Sequence, residues 1–139
     1  MSDLFKFHTT IPVRISDLNY AGHVGNDSYL TIFHDARIRY LNNLDCSEVD
    51  IGDSISLIMT CAHVEYKSQA VLNDELRVEV RVASMTSVRF RMEYEITNNV
   101  NRKLVSVGYT ELAGYDYNRG KIHKLPELFI NKVKAFEGI

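Results

Sequence analysis

The chain has 139 residues, 45% hydrophobic and 24% charged, with a formal net charge of -2. That length favours one domain over 1–139 with one real core. The near-neutral balance excludes nucleic acid as the main partner, because binding its backbone needs an excess of Lys and Arg.

The chain opens with MSDLFKFHTT, which has no apolar leader core, so no signal peptide is expected. No apolar run approaches about 18 residues, so no membrane span is expected either, and the default location is cytoplasmic. Residues 6–15 (KFHTTIPVRI) read as a first strand, with Pro12 marking an edge or a bulge. Residues 28–42 (SYLTIFHDARIRYLN) carry Tyr29, Leu30, Phe33, Ala36, Tyr40 and Leu41 at helical spacing. Asn26, Asp27 or Ser28 can cap that helix, and Asn42-Asn43 can close it. Asp35 and Arg37 on it read as a solvated or interface salt bridge. Cys46 and Cys61 lack the C-x-x-C spacing of a metal or redox site and read as one buried and one loop thiol. Residues 54–66 (SISLIMTCAHVEY) predict a long, largely buried strand with a bend.

The next two strands follow strict period two. In DELRVEVRV, Leu76, Val78, Val80 and Val82 alternate with charges. In SVRFRMEYEI, Val88, Phe90, Met92, Tyr94 and Ile96 do the same. Their polar faces carry mixed charges that can pair across strands. Residues 98–102 (NNVNR) are a turn, 103–114 another long strand, and 126–137 a short helix with Pro at its start. One helix followed by a run of strands implies α+β with an antiparallel sheet.

The stretch SDLNYAGHVGNDSYL, residues 16–30, gathers Asp17, Asn19, His23, Asn26 and Asp27 before the helix. These could form a catalytic site, or a loop and a helix cap. Gly22 and Gly25 suit a positive φ or a close approach to the backbone.

Together with SEVDIGDS, HVEYKSQAVLNDELRVEV and SVRFRMEYEI, the stretch VRISDLNYAGHVGNDSYLTIFHDARIRYL resembles the hotdog-fold acyl-CoA thioesterases of the 4-hydroxybenzoyl-CoA thioesterase-like branch. The matching positions include Asp17, Gly22, His23, Val24, Asn26, Tyr29, Asp35 and Arg37. The resemblance implies a long central helix wrapped by an antiparallel sheet of about five strands, with a short C-terminal helix. It also implies hydrolysis of an acyl-CoA thioester, no cofactor, no metal, and a homodimer or homotetramer.

The sequence departs from that branch at Asn19, where the branch carries its catalytic Asp. An amide is a poor nucleophile and no base. Either Asp27 or His23 could act as base in its place, or the site binds acyl-CoA without hydrolysing it. Asn19 could still hold water or the thioester oxygen. The resemblance makes the amide of Gly25 or Asn26 the oxyanion donor. It places Asp17, Tyr29 and Phe33 on the substrate side, with Ile58 and Met59 near the acyl group. For Asp17 the simpler role is to satisfy loop N–H groups, and for the apolar residues it is core. Lys67, Arg89, Arg91 and Arg102 are candidates for coenzyme A phosphates, or solvated strand charges. His8, His34, His63 and His123 show no metal-ligand spacing. Two other readings stay open: a non-catalytic acyl-CoA or acyl-carrier binding protein, and a hotdog hydratase or dehydratase.

Overall fold

The computed structural model describes residues 4–139; the reading of residues 1–3 as part of a leaderless start lies outside them. The elements are β1 (Phe7–Pro12), a 3₁₀ turn (Ile15–Asp17), α1 (Ser28–Asn43), β2 (Ser56–Tyr66), β3 (Glu75–Met85), β4 (Arg89–Asn98), β5 (Leu104–Asp116), β6 (Lys121–His123) and α2 (Glu127–Glu137). The strands form one sheet in the order β1-β3-β4-β5-β2, and β6 adds to the end of β5. Every pairing is antiparallel. Among the described residues, no helix is long and apolar enough to cross a membrane.

The period-two segments become β3 and β4, with Leu76, Val78, Val80, Met92 and Ile96 fully buried. Against this face lies α1, which buries Tyr29, Ile32, Phe33, Ala36, Tyr40 and Leu41. Each such side chain contributes about 1.5–3 kcal/mol of transfer free energy. Phe33 stacks on Tyr94 with ring centroids 4.4 Å apart. It can come so close to the sheet because residue 108 is glycine: a Cβ there would lie 2.7 Å from the Phe33 ring and 2.3 Å from the His63 carbonyl oxygen. The helix cradled by the sheet is the hotdog arrangement that the sequence implied. On the same core sits α2, through Phe129 and Val133. Its Glu137 carboxylate accepts bonds from Tyr40 Oη at 2.6 Å and from the Val82 N–H at 2.9 Å.

Some local expectations change. The long apolar strand is not largely buried: β2 is buried at Ser56 and Leu57 but exposed from Met59 to His63. It ends the sheet, paired with β5 alone. Its bend is present, as a register shift between Met59 and Cys61. The exposed thiol, Cys61, is on this strand, and the loop thiol, Cys46, is the buried one. Asp35 and Arg37 do not pair. Asp35 accepts from Arg39 one turn on, whereas Arg37 turns inward to Glu48 at 3.0 Å and Tyr94 at 3.2 Å. Tyr94 in turn meets Thr110 at 2.7 Å. This buried polar chain ties α1 to the following loop and to the sheet. Pro126 precedes α2 as its cap rather than starting it.

Candidate active site

The stretch before α1 is a small folded loop. Asn19 N–H donates to the His23 carbonyl at 2.7 Å and Gly22 N–H to the Asn19 carbonyl at 3.1 Å. The Asn19 side-chain oxygen accepts from the Ala21 and His23 N–H groups at 2.9 and 3.3 Å. This is the side-chain turn that Asn favours. Gly22, at φ +80°, supplies the left-handed residue it needs. Val24 N–H then donates to Ala70, and His23 bridges to Val71. These bonds bring residues 66–70, distant in sequence, alongside the loop.

Asp17 is buried, with 3% exposure. Its carboxylate accepts from the Arg14 N–H, Nε and Nη2 at 2.8, 3.2 and 3.1 Å. The bond and the charge of Asp17 hold the Arg14 guanidinium above its ordinary pKa. The Asp17 carbonyl accepts from the Gly25 N–H at 2.9 Å and from Ser28 Oγ at 3.0 Å. Asp17 therefore anchors the loop to the start of α1.

These bonds decide which backbone donors remain. The Gly25 N–H is spent on Asp17. The Gly25 carbonyl accepts from Ser28 N–H at 2.9 Å, which orients the peptide between Gly25 and Asn26. The Asn26 N–H then points back out of the helix N-terminus. Among the described residues it meets no hydrogen-bond acceptor. Asp27 is the residue before α1, but its side chain makes no capping bond. Instead it folds over Gly25: a Cβ on Gly25 would lie 2.7 Å from Asp27 Oδ1 and 3.6 Å from Asn19 Cβ. The close approach at Gly25 is thus taken by a carboxylate of the chain itself.

A cavity of about 250 Å³ opens here, lined by Asn19, His23, Asn26 and Tyr29 on one side and by Tyr66, Lys67, Ser68 and Gln69 on the other. Tyr29 and Tyr66 meet edge to face, with centroids 5.3 Å apart. Burial, with the neighbouring Tyr66, pushes the Tyr29 phenol above its ordinary pKa. Lys67 pairs with Glu65 at 2.9 Å. The bonds from Lys67 and His63 hold the Glu65 carboxylate below its usual range.

The structure thus brings Asn19, His23, Asn26 and Tyr29 to one cavity; Gly25 and Asp27, which adjoin Asn26 in the chain, do not line it. Asp17 and Phe33 do not line it; the first faces Arg14 and the second faces the sheet. Of the four cations considered for coenzyme A phosphates, Lys67 alone lines this cavity. Arg91 is occupied by Glu111 and by the face of Tyr109, 3.8 Å from the ring centroid. The wall formed by Tyr66, Ser68 and Gln69 was not legible as part of a site. The polar tail that follows the apolar run of β2 is its only trace in sequence.

Residues 13–133 match the sequence profile of the thioesterase-like superfamily. Among solved structures, a thioesterase from Thermus thermophilus, complexed with coenzyme A and Zn, is 28% identical, with a TM-score of 0.85 over 99% of this chain and 98% of that one. The DHNA-CoA thioesterase from Staphylococcus aureus is 26% identical, with a TM-score of 0.83 over 94% of this chain and 88% of that one. A 1,4-dihydroxy-2-naphthoyl-CoA thioesterase from Synechocystis, 22% identical over 91% of this chain and 94% of its own, shares the fold with a TM-score of 0.82. No curated protein matches the chain.

Proposed function

The chain belongs to the thioesterase-like superfamily, and on that footing we propose that it hydrolyses an acyl-CoA thioester to the free acid and coenzyme A. The observation that carries this reading is that Asn26, whose N–H meets no protein acceptor among the described residues, lines one cavity with His23 and Asn19 at the start of α1. Water attacks the thioester carbonyl, and negative charge grows on its oxygen. A fixed N–H at the positive end of a helix stabilises that charge. The attacking water gives its proton to His23 or to Asp27, and the carbon–sulfur bond then breaks. The thiolate of coenzyme A leaves readily, so no strong acid is needed. The Asn19 oxygen is spent on the turn, so its NH₂ group is what remains to hold water or the thioester oxygen.

The loop and helix end also support a second reading. Asn19 in place of an acid suits a protein that binds acyl-CoA and does not cleave it. Thiol release from a panel of acyl-CoA esters, short, long and aromatic, separates the two. Release from the parent that Asp27→Asn abolishes, in protein that still melts cooperatively, assigns the base to Asp27. Release that persists moves the role to His23 or Asn19. No release from any ester, with binding retained, refutes hydrolysis and favours the binding protein.

The same reading includes a homodimer or homotetramer. It is supported by the open edge of β2 and by Leu30 and Ile38 on α1, 38% and 41% exposed. An unpaired strand edge needs cover. Light scattering on a sizing column tests the assembly, and a monomer at all concentrations would refute it. Free Cys46 and Cys61 suit a reducing compartment, which supports the cytoplasm.

A further inference from the structure

Tyr66 ends β2, yet it belongs to the candidate site. Its ring stands against Tyr29, and its hydroxyl lies 3.5 Å from the Asn26 carbonyl oxygen. It thus bars the gap between the edge of the sheet and the first turn of α1. It is also half-exposed, at 50%, so packing alone does not explain a large aromatic ring in this position. Two and four residues back along β2 come Val64 and Ala62, which share its face by the period of a strand. Val64 packs against the core, so this face is the one turned towards α1. Behind the bar the side chains on this face are apolar, Val64 packed on the core and Ala62 open to solvent. In front of it, the cavity is about 250 Å³, below the roughly 300–1,000 Å³ of ordinary ligand pockets.

We infer that Tyr66 sets the acyl specificity of the site, closing it to all but short or single-ring acyl groups. The inference rests on the acyl-thioester reading above, but not on turnover. A tyrosine ring covers about 150–250 Å², and half of this one is already open. The remainder corresponds to about three methylenes, at roughly 30 Å² each by the usual transfer coefficient.

The test uses two readouts on the parent, Tyr66→Phe and Tyr66→Ala, with thermal melts to confirm folding. The first is hydrolysis of straight-chain acyl-CoA esters from acetyl to decanoyl. The second is calorimetric binding of the matching S-alkyl-CoA thioethers, which cannot be hydrolysed. In the parent, affinity should rise about fourfold per methylene and stop at a short chain. In Tyr66→Ala the rise should run about three methylenes further, a gain of roughly 60-fold for the longest chain so admitted. Tyr66→Phe keeps the ring and should keep the parent's limit. Thioether profiles that shift without any ester hydrolysis would sink the thioesterase reading and leave Tyr66 as the gate. An identical limit in parent and Tyr66→Ala, no limit in the parent, or no thioether binding at all would each overturn the gate.

Discussion

Replacing Asn26 by proline deletes the one backbone donor on which the proposed chemistry depends. The turn can accept the exchange. Residues 25–28 are closed by Ser28 N–H on the Gly25 carbonyl at 2.9 Å, which puts Asn26 at the second position of a β-turn, where proline is favoured. Proline's ring crowds the Cβ of the residue before it, and Gly25 has none. No protein hydrogen bond is lost, since the Asn26 N–H makes none among the described residues. Asn26→Ala is the matched control, removing the side chain and keeping the N–H. Loss of one oxyanion donor costs about 10²–10³ in kcat, or about 2.7–4 kcal/mol. Steady-state thiol release should therefore be at least about 100-fold slower in Asn26→Pro than in Asn26→Ala, with melting temperatures within a few degrees of each other. Equal rates in two folded variants would refute the oxyanion assignment, because only Asn26→Ala keeps that N–H.

Asn19→Asp should keep the turn, since a carboxylate oxygen accepts the same Ala21 and His23 N–H groups, and it adds a base at the cavity. Thiol release should rise by about 100-fold if position 19 acts in general-base chemistry; an unchanged rate would show that the water is activated elsewhere. Gly108→Ala should lower stability in urea by about 1–3 kcal/mol, as overpacking does, because its Cβ would meet the Phe33 ring at 2.7 Å and the His63 carbonyl at 2.3 Å; an unchanged unfolding midpoint would contradict that packing. Burial pushes the phenols of Tyr29, Tyr40 and Tyr94 up, with Glu137 adding to the rise at Tyr40. Folded values above the unfolded value of about 10 mean that their stabilisation is intact below that pH and is lost as pH climbs through the raised values. Tyrosinate absorbance should then lag for three of the eight tyrosines until the chain unfolds, whereas ionisation of all eight in one step with circular dichroism unchanged would refute it.

The parts of the fold legible in sequence are those whose pattern is local. Leu76, Val78 and Val80 alternate with charges because one face of β3 meets the core and the other meets water. The α1 stripe is readable because Tyr29, Phe33, Ala36 and Tyr40 recur within one helix. β2 is less buried than its apolar run predicts, for a physical reason. Apolar side chains at Met59 and Ala62 report that a surface needs cover, not that this chain provides it. Arg37 turns inward where its sequence neighbours suggest a surface pair, because its partners, Glu48 and Tyr94, stand 11 and 57 residues away. The same distance hid Tyr66, Ser68 and Gln69, which reach the site only through the bonds of residues 23–24 to 70–71.

The loop at 16–30 reads as both site and scaffold because its polar groups divide the work. Asp17 is wholly committed to Arg14, Gly25 and Ser28, and its burial leaves nothing for a substrate. Asn19 is committed by its oxygen alone. The turn needs an acceptor at that atom, and aspartate would supply one equally well. The fold therefore places no demand for an amide at position 19, so the amide there bears on chemistry rather than on folding. Gly25 gives its N–H to Asp17 and its carbonyl to Ser28, which leaves the next N–H, that of Asn26, without a protein acceptor among the described residues. Asp27, freed from capping, folds its carboxylate over Gly25 beside Asn19. A helix start that satisfied every donor and used its acid as a cap would be more stable and chemically silent. This one leaves the Asn26 N–H without a protein acceptor among the described residues and the Asp27 carboxylate free of capping, next to a cavity that Asn26 lines, and a donor and an acid kept off structural duty are what the proposed reaction needs.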